Sequence, residues 1–161
     1  LYTGYRDYPQ SAYKSVDYLE KMIDVLEEAG FKPEVICMDV DWHYDLDYVV
    51  EILNRHKAML KRKGVLMSIN IVEAELPREG ELLFDGNTLV KHIVPEGNPN
   101  ELYENTLISI VKFLKATGVY EKGMQLRVGS WTHRPYERGE QVCEKIRGSL
   151  AHTANEIYEM L

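Results

Sequence analysis

The sequence predicts an α/β fold in which about four βα units build a parallel sheet. Three observations carry that reading. Apolar, β-branched runs of strand length alternate with segments of helical period, as at Val35–Val40 followed by Val49–Leu60. Glycine or proline stands at most of the junctions, at Gly30, Pro33, Gly64 and Gly118. Acidic residues gather just past two of the apolar runs, at Asp39/Asp41 and at Glu73/Glu75. Alternation of this kind belongs to βα architectures, and 161 residues suffice for a single β/α domain spanning 1–161.

The opening residues, Leu1–Pro9, with Tyr2, Tyr5 and Tyr8 three apart, read as a lead-in or short strand. From Ser11 to Ala29, Val16, Leu19, Met22, Ile23 and Leu26 follow helical spacing until Gly30. Pro33 then introduces a run expected to be the central, buried strand. A second helix spans about Asp47–Lys63, with Val49, Ile52, Leu53, His56 and Leu60 inward and Gly64 as terminator. The run Lys57, Lys61, Arg62 and Lys63 is expected to be a solvated face that also suits a helix C-terminus. His56, on the inner face, is expected to be a satisfied core histidine.

Val65–Val72 is a nearly all-apolar third strand, and Glu81–Phe84 with Thr88–Val94 form a hairpin across Gly86 and Asn87. A third helix covers about Asn100–Thr117, with Leu102, Leu107, Ile110, Val111 and Leu114 inward. Met124–Ser130 reads as the last strand, Trp131–Tyr136 as its loop, and Gly139–Leu161 as a final helix.

Composition narrows the function. A net charge of −7 argues against nucleic acid as a partner, because a phosphate backbone calls for a basic surface. No apolar run approaches the roughly 20 residues that span a bilayer, so no membrane partner is expected. Cys37 and Cys143 make no disulfide framework and are expected to be buried, reduced thiols. With no signal-peptide pattern, the cytoplasm is the expected compartment.

The chemistry concentrates in Asp39-Val40-Asp41-Trp42-His43-Tyr44-Asp45-Leu46-Asp47. Alternation along a strand sends Asp39 and Asp41 to one face and Val40 to the other. Two carboxylates crowded at a buried strand end repel each other and lose hydration, which a substrate, a proton or a metal offsets. Asp45 and Asp47 are explained as caps of the following helix. Parallel βα folds gather ligands at the C-terminal strand ends. Three such ends here carry Asp39, Asp41, Trp42 and His43; Glu73 and Glu75; and Trp131, His133 and Arg134. Carboxylates interleaved with tryptophans suit a sugar, the acids holding hydroxyls or transferring protons and the indoles stacking on the ring. Asp39 or Asp41 with Glu73 or Glu75 forms the candidate acid–base pair. Trp42, His43, Trp131, His133 and Arg134 are the candidate substrate contacts. No cofactor or metal is required.

The stretch Val35–His43 resembles a strand end of β/α-barrel glycoside hydrolases of the α-glucosidase type. Leu60–Gly64 with Val65–Ile71 is similar to the helix end and next strand of the same barrels. The resemblance implies a TIM-barrel-like fold, here a half-barrel or barrel fragment, and a sugar-binding role for Asp39 rather than a nucleophilic one. The loop Gly129–Pro135 is similar to tryptophan-bearing strand ends of other glycosidase barrels.

The first alternative is a metal-dependent carbohydrate deacetylase: Asp39/Asp41 before a helix, and Gly129–Pro135, resemble the motifs of polysaccharide deacetylases. Their second motif uses two histidines four apart, of which only His133 is present. Asp41-x-His43-x-Asp45 has the spacing of manganese ureohydrolases, without the further ligands those enzymes use. The second alternative is a non-catalytic glycan-binding domain or an excised half-barrel. Open edges of a parallel half-barrel would favour a homodimer.

Overall fold

The computed structural model describes residues 9–40, 46–72, 81–86, 88–92, 99–129, 157–159 and 161. Helix α1 spans Pro9–Glu28, strand β1 Val35–Asp39, helix α2 Leu46–Lys63 and strand β2 Leu66–Val72. Strands β3 (Glu81–Asp85) and β4 (Thr88–His92), helix α3 (Pro99–Ala116) and strand β5 (Gln125–Gly129) follow. The chain divides into two compact units, Leu1–Asn70 with Gly123–Arg127, and Ile71–Lys122 with Val128–Leu161.

The first unit holds a three-stranded parallel sheet in the order β1-β2-β5. β1 and β2 run in register from Val35↔Leu66 to Asp39↔Asn70. This order corrects the expected position of β1. Among the described strands β2 is the middle one, and β1 lies at one end of the order. Burial agrees, for β1 alternates: Ile36, Met38 and the following Val40 are buried, while Val35, Cys37 and Asp39 are half-buried. Cys37 is therefore not the buried thiol expected, because it shares the less covered face with Asp39. In β2, Met67, Ile69 and Ile71 are all buried.

Helices α1 and α2 pack together. Leu19 and Ile23 of α1 are buried, as are Val49, Ile52, Leu53, His56, Met59 and Leu60 of α2. The inner face expected for α2 is thus buried at every position. That of α1 is narrower than expected: Val16 and Met22 are half-buried and Leu26 is exposed, because only one stripe of α1 is covered. α1 also begins earlier than expected, with Pro9 at its first position, where a missing N–H costs nothing.

The turn from α2 into β2 shows how local sequence sets the crossover. Gly64 adopts φ +66°, a left-handed conformation that strains residues with a Cβ. The Gly64 amide donates to the Lys61 carbonyl at 3.2 Å and the Val65 amide to the Leu60 carbonyl at 2.9 Å. These bonds close the helix in a Schellman arrangement, so that β2 starts two residues after Gly64. Across the helix pair, Arg62 donates to Glu20 at 3.3 Å and Lys63 bonds Asp24.

In the second unit, β3 and β4 form the expected antiparallel hairpin, in register from Glu81↔His92 to Asp85↔Thr88. Gly86, directly after β3, adopts φ +64°. Leu82 and Leu89 are buried, and α3 packs on both strands. Leu107, Ile110, Val111 and Leu114 of α3 are all completely buried, as their spacing predicts. The Leu82 amide donates to Thr106 Oγ1 at 3.2 Å, tying hairpin to helix. Of the expected final helix, residues 157–159 are helical and Ile157 is buried; the expected Leu1–Tyr8 lead-in and 139–156 lie outside the described residues. The described strands form a parallel sheet and a separate antiparallel pair, with no closed barrel among them. No helix among the described residues is long and apolar enough to cross a membrane.

Candidate functional site

Asp39 is the last residue of β1, and its in-register partner at the same end of β2 is Asn70. Partners on parallel strands project to the same side of a sheet. Here they touch: Asn70 Nδ2 donates to Asp39 Oδ1 at 2.8 Å. Both side chains are half-buried, so the pair faces solvent in part rather than lying within the core. Val40 is buried where Asp39 is half-buried, the alternation expected of these two residues. A carboxylate beside an amide offers acceptors and a donor within one contact, and each retains hydrogen-bonding capacity beyond their mutual bond.

One rung back along the same ladder, Cys37 pairs with Ser68. By two-residue periodicity, both share the Asp39–Asn70 face. Cys37 is half-buried, whereas Ser68 is completely buried, and its Oγ has no hydrogen-bond partner among the described residues. One side of the β1–β2 ladder thus passes from the apolar Val35–Leu66 rung to Ser68 and the Asp39–Asn70 pair, while the other, with Ile36, Met38, Met67 and Ile69, is apolar and buried.

Of the sequence-predicted site residues, the structure places Asp39. Asp41, Trp42, His43, Glu73, Glu75, Trp131, His133 and Arg134 lie outside the described residues. Asn70 and Ser68 stand on the face that carries Asp39, and the expectation of a nearly all-apolar Val65–Val72 strand leaves them out. Their signal is nonetheless in the chain: Ser68-Ile69-Asn70 sets polar residues at every second position of an otherwise apolar strand. Two polar residues among eight are too few to stand out until the register supplies their partners. Among the described residues, no group of three or more His, Cys, Asp or Glu side chains is gathered as metal ligands.

His56, between the two helices, is wholly inaccessible, with Nδ1 at 2.9 Å from the Ile52 carbonyl and Nε2 at 3.4 Å from Ser15 Oγ. A carbonyl only accepts, so Nδ1 carries the proton and Nε2 accepts from the Ser15 hydroxyl. Burial pulls the His56 pKa below its ordinary 6.5, against a smaller upward pull from the Ile52 hydrogen bond. A neutral imidazole satisfied on both nitrogens is a structural fastener between α1 and α2, the role its position on the inner face predicts. Comparison with known proteins leaves the Asp39–Asn70 pair to be interpreted on its own chemistry, for no family model, curated protein or solved structure matches the chain.

Proposed function

We propose that the chain is a carbohydrate-active hydrolase whose sugar site begins at the Asp39–Asn70 pair. That pair is the observation carrying the reading. A sugar hydroxyl both donates and accepts, and neighbouring hydroxyls are matched by a carboxylate acceptor beside an amide donor. The pair is partly open to solvent; Asp39 is the last residue of β1 and Asn70 lies two residues before the end of β2, toward the C-terminal side at which βα folds collect ligands. Asp39 orients the sugar, as the glycosidase resemblance implies. Asp41, two residues on from Asp39 in the sequence, is the candidate acid or base, and Trp42 beside it is the candidate ring contact. The parallel sheet is read as part of a TIM-barrel-like half-barrel.

The test is release of reducing sugar from a panel of glycosides, measured across pH and with a chelator. An acid pair needs one carboxyl protonated and one ionised, so the rate should rise and then fall with pH. Asp39→Asn should raise KM more than it lowers kcat if Asp39 binds rather than reacts. Activity should survive the chelator. Loss to the chelator with recovery on a divalent metal would instead identify a deacetylase-like metallohydrolase. Sugar binding without turnover on any substrate would identify a glycan-binding domain.

A further inference from the structure

Building on the carbohydrate reading and deepening it, we propose that Ser68 is the inner polar contact of this site. Its hydroxyl bonds an O–H group that belongs to a bound sugar or to a water held beneath it. Three observations converge. Ser68 lies on β2 two residues before Asn70, so its side chain shares the face on which Asn70 meets Asp39. It is completely buried, yet its Oγ has no hydrogen-bond partner among the described residues. Its in-register neighbour is the half-buried Cys37, a small side chain, so the rung beneath the Asp39–Asn70 pair is partly accessible and not closed over by a large apolar residue.

A buried hydroxyl without a partner destabilises the protein that carries it, and burial of such a group needs a reason. Alanine would fit the same position in an apolar strand without that cost. A serine under a polar rung fits a group that meets its partner only when the site is filled. The sugar's O–H supplies that partner directly, or through a water that bridges to Ser68.

Ser68→Ala separates the possibilities, because it removes one oxygen and leaves the strand intact. The melting temperature of the free protein and the affinity for methyl glucosides, galactosides and mannosides, with their deoxy derivatives, should be measured for both proteins. The expected result is an unchanged or raised melting temperature together with affinity weakened about three- to tenfold, the worth of one hydrogen bond. If one deoxy sugar binds both proteins equally, the missing hydroxyl is the one that meets Ser68. If the loss is the same for every sugar, a water is the partner. A lowered melting temperature with unchanged affinity would overturn the proposal by showing that Ser68 serves the fold. Should the wild-type protein bind no glycoside at all, the carbohydrate reading fails and the Ser68 assignment falls with it, an outcome distinct from sugar binding that Ser68→Ala leaves untouched.

Discussion

Asn70 and His56 each make a polar contact whose removal has a defined sign. Asn70→Ala takes the amide donor from Asp39 and should destabilise the protein by about 1 kcal/mol, less than the roughly 1.5–3 kcal/mol of a bond to a charged group, because both residues are only half-buried. The shift of the urea midpoint checks it, and an unchanged midpoint would show that water replaces the amide without loss. For His56 the sign follows from burial. The folded state holds the imidazole neutral to a pH below the ordinary 6.5, whereas the unfolded chain takes up the proton near 6.5. The contribution is therefore intact above 6.5 and is lost as pH falls from there through the folded-state pKa. His56→Leu should remove this component, so that stability changes less between about pH 7.5 and pH 5 than in the wild type. Equal slopes would mean that other groups govern the acid side.

At the scale of the element, each junction is a local agreement between backbone and residue type. Gly64→Ala places a Cβ on a left-handed residue, and about 1–2 kcal/mol of stability should be lost. The added Cβ would meet nothing nearer than Lys32 Nζ at 3.5 Å, so the loss would come from the backbone and not from a clash. Urea denaturation of the variant checks it, and a loss near zero would mean that the α2–β2 turn relaxes freely. In the second unit, Ile110 is fully buried in the α3 stripe. Ile110→Ala should cost about 2–5 kcal/mol, from lost transfer free energy and the cavity together. The hairpin depends on that stripe, since Leu82 is buried and its amide bonds Thr106 of the same helix. Hydrogen exchange at the β3 amides should therefore rise in the Ile110→Ala protein.

At the scale of the whole molecule, a bound sugar and a thiol reagent should compete for one face. Cys37 is half-buried on the same face as Asp39, so a sugar seated there should slow its alkylation by iodoacetamide, with mass spectrometry separating it from Cys143. Equal rates with and without a bound sugar would place the sugar elsewhere. Trp42→Ala and Trp131→Ala should each weaken sugar binding by about 1–3 kcal/mol if the indoles stack on the ring. A lowered melting temperature with unchanged affinity would make them core residues.

Most of the secondary structure is legible in the chain because its cues are local. The helical stripes of α2 and α3, the glycines that end the helices and the Gly86 turn each act within a few residues, and the structure follows them. So too does the alternation of Asp39 and Val40, since a strand has a period of two wherever it lies. Sheet order is decided by pairing between distant segments, and no local cue indicates whether a strand has one neighbour or two. That is why β1, apolar enough to read as central, stands at an end of the described sheet with Cys37 half-buried. The partner of Asp39 depends on the same pairing. Asn70 lies 31 residues away along the chain and becomes its neighbour only through the parallel register of β1 and β2. The sequence alone determined which strand would carry the carboxylate and on which face; tertiary pairing decided what that carboxylate touches, because register joins residues that no local period can connect.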